Sequence, residues 1–147
     1  MMTVYLDNSF LNRPFDNPDI GTNKLESEIL SLVIKLADKG KIELVNSSVI
    51  VYENSLNPLP ERKIFVKEVL KRARFYQNIN EDIKKEAENL VNAAKVSSVD
   101  ALHLASAEKA NANIFITCDY DIIKKYKGKV KVITPLEFLK YYEHANI

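Results

Sequence analysis

Short apolar runs alternate along the chain with longer segments in which apolar residues recur every three or four positions. The short runs are rich in β-branched and aromatic residues, which favours strands, whereas the longer interval is typical of helices packed on a core. The predicted strands are residues 3–6, 42–45, 114–116 and 130–133. The predicted helices are residues 23–39, 60–77, 81–94 and 99–111, with a capped segment at 49–56 and a terminal helix opening at Thr134-Pro135.

Capping residues and apolar stripes support these helices. Lys39-Gly40 is expected to end the first helix, Pro60 suits a first turn, and Asn80 and Ser98 are the expected caps of the third and fourth. The expected apolar face of the first helix is Leu25, Ile29, Leu32, Val33 and Leu36. The expected buried stripe of the second is Phe65, Val69, Ala73 and Tyr76.

Strands separated by helices predict a sheet with mainly parallel pairing and helices on both faces. We therefore expect a three-layer α/β/α fold with a four- or five-stranded sheet. The 147 residues suit one domain, residues 1–147, and no linker or repeat divides them.

Composition removes several function classes. The 21 basic and 20 acidic residues give a net charge of +1, which argues against a protein that coats nucleic acid by total charge. One cysteine, Cys118, excludes an intrachain disulfide and a Cys-rich zinc site. The three glycines are too far apart for a dinucleotide or phosphate loop. With neither a long apolar run nor a leader pattern at the N-terminus, we expect a soluble cytoplasmic protein.

Four acids occupy positions where such a fold builds its sites. Asp7 directly follows the first strand, and Asp119 comes shortly after residues 114–116. Asp100 lies in the first turn of an apolar helix, and Glu53 follows four apolar or aromatic residues. Each acid alone could be an ordinary cap or surface charge. Together they predict a carboxylate cluster that needs cations, with Mg²⁺ or Mn²⁺ as the ions that suit oxygen ligands and phosphodiester cleavage.

These motifs resemble the PIN domain, a small metal-dependent ribonuclease fold that includes VapC-type toxins. The resemblance is carried by the order of four segments and by the last predicted strand and helix, 132–139. The four segments are residues 4–9 (VYLDNS), Glu53, residues 100–107 (DALHLASA) and residues 114–121 (IFITCDYD).

The resemblance implies an RNA substrate, a divalent metal, and catalytic and metal-binding roles for Asp7, Glu53, Asp100 and Asp119. Asp121 matches an acid that contributes a ligand in only some members. The supporting positions are Asn8, Ser9 and Thr117. An antitoxin protein is the implied partner only for the toxin branch, and we expect a homodimer.

The predicted helix at 60–77 carries six basic residues against two acidic ones. An ordinary solvated face would explain this charge, and so would contact with the RNA backbone. On the second interpretation, Lys67, Lys71 and Arg74 line one helix face and bind RNA. Arg13, shortly after the Asp7 motif, is expected at the rim of the site.

Other interpretations stay open. A phosphotransfer enzyme of the haloacid-dehalogenase type also uses an acid after its first strand, but it needs a second Asp where this chain has Ser9. A non-catalytic RNA- or protein-binding PIN domain would have no need of the four acids. His103 is expected to be a packed or hydrogen-bonded helix residue rather than a direct participant, and Cys118 an apolar filler.

Overall fold

The computed structural model describes residues 1–145. It contains five strands and eight α-helices in that range, with a short 3-10 turn at Arg13–Phe15. The strands are β1 (Met2–Leu6), β2 (Ile42–Ser47), β3 (Phe75–Gln77), β4 (Ile114–Ile116) and β5 (Lys131–Ile133). The helices are α1 (Asn8–Leu11), α2 (Asn23–Asp38), α3 (Ser48–Ser55), α4 (Pro60–Leu70), α5 (Glu81–Ala94), α6 (Ser98–Lys109), α7 (Tyr120–Lys125) and α8 (Pro135–Ala145).

The five strands form one parallel sheet in the order β3-β2-β1-β4-β5. In the centre, Val4 pairs with Leu44 on one side and with Ile114 on the other. Every crossover between parallel strands contains a helix, which covers a face of the sheet. The expected α/β/α fold with a four- or five-stranded sheet is confirmed, and the sheet has five strands.

The fifth strand corrects the predicted helix at 60–77. Helix α4 ends at Leu70, and residues 75–77 pair with β2 as an edge strand in which Phe75 and Tyr76 are exposed. The backbone N–H of Arg74 already donates to the carbonyl of Leu44 at 3.0 Å. No glycine or proline occurs between Leu70 and Gln77, so the sequence pattern alone predicted that the helix continues to residue 77. Residues 75–77 form a strand because the edge of β2 supplies hydrogen-bond partners for their backbone groups. Phe and Tyr also favour strands.

Two smaller expectations were wrong at helix starts. Ser97, not Ser98, caps α6 by accepting a hydrogen bond from the N–H of Asp100 at 3.2 Å. In α2, Leu25 is exposed, and the neighbouring Glu26 is buried instead. Helical periodicity alone predicted that Leu25 lies in the core. Glu26 is buried instead, because Arg13 forms an ion pair with it.

The ion pair of Glu26 connects α2 to the segment after the first strand. Arg13 Nε lies 3.0 Å from Glu26 Oε1, and Arg13 Nη1 lies 3.0 Å from Asp16 Oδ2. Glu26 is only 3% exposed, so its charge has little water to solvate it.

The core is built around the central strand. Tyr5 stacks on Phe115 of β4 with ring centroids 5.1 Å apart, and both side chains are fully buried. Helix α5 packs on α6, and α2 packs on α8. Among the helices within residues 1–145, none combines the length and hydropathy that crossing a membrane requires.

Removing the guanidinium of Arg13 should destabilise the fold, because it leaves Glu26 buried and unpaired. We expect Arg13→Met to lower the free energy of unfolding by about 3 kcal/mol in urea denaturation. The double variant Arg13→Met/Glu26→Gln should recover part of that loss, since the buried charge is gone. A single variant as stable as the wild type would show that water solvates Glu26 adequately.

A second pair of groups should make stability depend on pH. Burial and a hydrogen bond with Glu86 raise the pKa of Glu108 to about 7, and the hydroxyl of Tyr126 donates to the same carboxyl. The raised pKa means that the folded chain holds a proton which the unfolded chain releases. This contribution is present at acidic pH and is lost as the pH rises through about 7.

We expect the wild type to lose about 1 kcal/mol of stability, relative to Glu108→Gln, between about pH 5 and about pH 8, the carboxyl being only half-buried. Glu88→Gln, which removes an exposed charge from α5, is the matched control and should keep the wild-type dependence. Thermal or urea unfolding at several pH values measures the difference. Parallel profiles for the wild type and Glu108→Gln would contradict the prediction.

Candidate active site

Asp7 lies at the carboxyl end of the central strand and caps α1. Its Oδ1 accepts a hydrogen bond from the N–H of Asn8 at 2.9 Å, and its Oδ2 accepts from Ser9 Oγ at 2.8 Å and from Thr117 Oγ1 at 2.7 Å. The residue is 5% exposed. Three donors on a buried side chain hold the carboxylate in one orientation.

The two hydroxyl donors are themselves held by backbone groups of the segment after β4. The N–H of Cys118 donates to Ser9 Oγ at 3.1 Å, and the N–H of Asp119 donates to Thr117 Oγ1 at 3.0 Å. Each hydroxyl therefore accepts from the backbone and donates its own proton to Asp7. This arrangement depends on β1 and β4 being neighbours in the sheet.

Glu53 reaches the same region from α3. Its Oε1 accepts from Asn8 Nδ2 at 2.6 Å and lies 2.9 Å from Nε2 of His103. The hydrogen bond with His103 lowers the pKa of Glu53, against the opposing effect of partial burial. Ligand atoms of Asp7, Glu53 and His103 all lie within 4.8 Å of one another. Two hydrogen-bond partners, Asn8 and His103, therefore hold the carboxylate of Glu53.

Asp100 lies close enough to Asp7 and Asp119 for their negative charges to act on its own carboxyl group. Burial raises the pKa of the Asp100 carboxyl, and the negative charges of Asp7 and Asp119 raise it further. Asp119 caps α7, where its Oδ1 accepts from the N–H of Asp121 at 2.9 Å. Asp121 itself is exposed, and its backbone N–H connects it to Asp119.

Two site features have a weak or absent signal in the sequence. The contact of His103 with Glu53 was not expected, although the spacing Asp100-x-x-His103 places both residues on one side of α6. The buried Oδ1 of Asn8 accepts no hydrogen bond from the described residues. This atom is therefore available to a donor or a cation that enters the site.

A cavity of about 440 Å³ adjoins Glu53, and Arg13 is one of the residues that line it. It is lined by Asn8, Ser9, Asn12, Arg13, Asp16, Glu53, Asn54, Leu56, Asn57, Pro58 and Arg62. The guanidinium of Arg13 is already engaged by two carboxylates, so its first role is structural. Arg62 contacts the carbonyl of Phe15 at 3.1 Å and leaves its buried Nε without a partner among the described residues.

The prediction that Lys67, Lys71 and Arg74 line one helix face is wrong, because α4 ends at Leu70. Lys67 lies inside the helix, Lys71 follows it as the C-cap, and Arg74 lies beyond it. The three side chains therefore do not share one helix face. A groove of about 460 Å³ instead places Lys63, Lys67 and Lys71 together beside Val51. Asn54 lines both this groove and the cavity at Glu53.

Cys118 has the environment of a filler rather than of a nucleophile. Burial raises the pKa of its thiol to about 12, so the reactive thiolate is scarce at neutral pH.

Comparison with known proteins places this geometry in a family. The sequence model of the PIN domain matches residues 4–129, and no curated protein sequence matches the chain. Among solved structures, VapBC2 from Rickettsia felis bound to a promoter DNA fragment has a TM-score of 0.59 at 16% identity, covering 90% of this chain and 98% of that one. DNA-bound VapBC from Salmonella typhimurium has 0.61 at 13%, covering 92% and 99%. PAE2754 from Pyrobaculum aerophilum has 0.59 at 14%, covering 97% and 98%.

Identities this low show a shared fold alone, but the family match contains most of β1, all of β2, β3 and β4, and all four acids. The chain belongs to the PIN domain family.

Proposed function

We propose that this protein is a metal-dependent endoribonuclease that hydrolyses RNA phosphodiester bonds at the Asp7 site. The observation that carries the proposal is the convergence of Asp7 and Glu53, whose ligand atoms lie within 4.8 Å of each other at the end of the sheet. Asp100 lies within electrostatic range of both Asp7 and Asp119, so two further carboxylates stand beside Asp7.

The donor set suits a hard divalent cation. Asp7, Glu53, Asp100 and Asp119 would hold Mg²⁺ or Mn²⁺ through carboxylate oxygens, and the free Oδ1 of Asn8 adds a neutral oxygen beside them. Asp121 would contribute from the exposed rim. Such an ion, when bound, activates water and stabilises the charge that develops on the phosphoryl oxygens.

The chain's own residues fix where that chemistry takes place. Ser9 and Thr117 hold Asp7, and Asn8 and His103 hold Glu53, so neither carboxylate needs to reorganise when a substrate arrives. The cavity beside Glu53 offers space for one part of an RNA strand. The lysine groove, defined by Lys63, Lys67 and Lys71, adjoins that cavity at Asn54 and supplies positive charge for the phosphate backbone.

We propose more specifically that the nuclease is the toxin of a toxin–antitoxin pair. Its support is the fold shared with the two VapBC structures. An antitoxin protein would then be the partner, and a small basic DNA-binding reading frame directly upstream of the gene would favour this branch. A homodimer remains a prediction.

Changing Asp7 to Asn should abolish the nuclease activity and leave the fold in place. The amide keeps the size of the side chain but removes a charge that a cation needs, so we expect cleavage of single-stranded RNA with Mg²⁺ or Mn²⁺ to fall by at least about 100-fold, or ~3 kcal/mol in the barrier. Asp38→Asn, at an exposed aspartate paired with Arg72, is the matched control.

Circular dichroism and unfolding curves establish that both aspartate variants fold. Equal cleavage by Asp7→Asn and wild type would contradict the nuclease assignment. A wild type that binds RNA without cleaving it would support the non-catalytic alternative instead.

The lysine groove should govern RNA affinity rather than turnover. Removing one positive charge that binds a phosphate of single-stranded RNA lowers the salt dependence of log K by roughly 0.7, so we expect this decrease for Lys67→Gln. Arg74→Gln removes the same charge outside the groove and should leave the slope unchanged. Binding isotherms of single-stranded RNA at several salt concentrations measure both slopes. Equal slopes for Lys67→Gln and wild type would remove the groove from the RNA path.

A further inference from the structure

A continuous chain of hydrogen bonds runs from the start of α3 to Glu53. Tyr5 Oη lies 2.7 Å from Ser47 Oγ and 2.7 Å from Nδ1 of His103. Nε2 of His103 lies 2.9 Å from Glu53 Oε1. Ser47, Tyr5 and His103 are all 0% exposed, so the bonds among them are made inside the protein, and the last bond reaches the partly exposed Glu53.

The proton positions in this chain follow from its two ends. An ionised Glu53 can only accept, so Nε2 of His103 must carry the proton that lies between them. A neutral ring then has a bare Nδ1, which accepts from the hydroxyl of Tyr5. The oxygen of Tyr5 in turn accepts from the hydroxyl of Ser47.

The other end of the chain is fixed by a helix cap. The N–H of Ile50 donates to Ser47 Oγ at 3.1 Å, which leaves the hydroxyl proton of Ser47 free for Tyr5. Every donor then has an acceptor, and no second buried charge is required. The same helix carries Ser47 at its start and Glu53 on its last turns, so the chain joins both ends of α3 through β1 and α6.

The ring of Tyr5 is held independently of these bonds. It stacks on Phe115 at an interplanar angle of 7° and meets the imidazole of His103 edge-on, with centroids 5.7 Å apart. The hydroxyl that orients His103 therefore sits on a side chain with little freedom of its own.

We propose that Tyr5 and His103 are positioning residues, which fix one oxygen of Glu53 through an Nε2-protonated imidazole. His103 is accordingly a donor to Glu53 and not a ligand of the cation, although one of its ring nitrogens lies within 4.8 Å of ligand atoms of Asp7 and Glu53. This assignment rests on the proposed function for its catalytic consequence, whereas the protonation of the ring is a property of the protein alone.

The ring protonation is tested on the ¹⁵N-labelled wild type by long-range proton–nitrogen correlation, without RNA and then with saturating Mg²⁺. His103→Gln distinguishes the signals of His103 from those of His144. We expect a protonated Nε2 and a bare Nδ1 at neutral pH in both states. A protonated Nδ1, or loss of the Nε2 proton when Mg²⁺ is added, would overturn the assignment.

Variants test the consequence for catalysis. His103→Leu removes the donor, and we expect turnover at saturating RNA to fall about 10- to 100-fold, the range usual for an outer partner of a metal ligand. His103→Gln should recover part of the loss, because its amide can donate to Glu53. Equal loss in Leu and Gln variants that both fold would overturn the role as a donor.

Two tyrosines allow a matched comparison that isolates the connection to Glu53. Tyr5→Phe removes a buried hydroxyl bonded to His103, and Tyr126→Phe removes one bonded to Glu108, which lies at the opposite end of α6 from Asp100. Both changes should lower stability, but only Tyr5→Phe should lower turnover at saturating RNA, by about tenfold. Equal turnover in the two variants would overturn the role of Tyr5. A wild type without nuclease activity contradicts the proposed function, while the ring measurement decides the protonation separately.

Discussion

The site depends on carboxylates being held by hydrogen-bond chains that begin at backbone N–H groups. The N–H groups of Cys118 and Asp119 donate to Ser9 and Thr117, whose hydroxyls donate to Asp7. Acids at the edge of an apolar core cannot rely on water for orientation. The fold supplies the donors instead, and they come from segments that only the parallel sheet brings together.

Glu53 is held by a longer chain built on the same principle. It starts at the N–H of Ile50 and reaches the carboxylate through Ser47, Tyr5 and His103, with Asn8 donating to the same oxygen from the Asp7 side. The two carboxylates are thus tied to each other through Asn8. A displacement of the first helix would therefore disturb both acids at once.

The basic residues near the site have two different roles: Arg13 stabilises the fold, whereas the lysines of the groove are available to a substrate. The guanidinium of Arg13 neutralises the buried Glu26 and fixes the segment that follows α1, so its contribution to a substrate is secondary. Lys67 and Lys71 are exposed along the groove that meets the cavity at Asn54. Exposed charges of this kind attract a phosphate backbone, and Lys71 pairs with Glu68 on the surface rather than with the carboxylates of the site.

Most of the fold could be predicted from the sequence because its signals are local. Alternating strands and helices predicted the parallel sheet, and acids placed at strand ends predicted which side chains would approach one another. The strand at Phe75–Gln77 could not be predicted in this way. Residues 71–77 satisfy a helical pattern as well, and the pairing partner that changes their state lies some thirty residues earlier in β2.

The sequence by itself determined the class of the fold, the order of the motifs and the presence of four acids along one chain. Only the tertiary structure decided that Glu26 enters the interior in place of Leu25, that Arg74 leaves the basic face, and that His103 meets Glu53. The physical reason is common to all three. Each outcome depends on a partner that is distant in sequence, and the free energy of a buried charge or an unpaired backbone group depends on that partner.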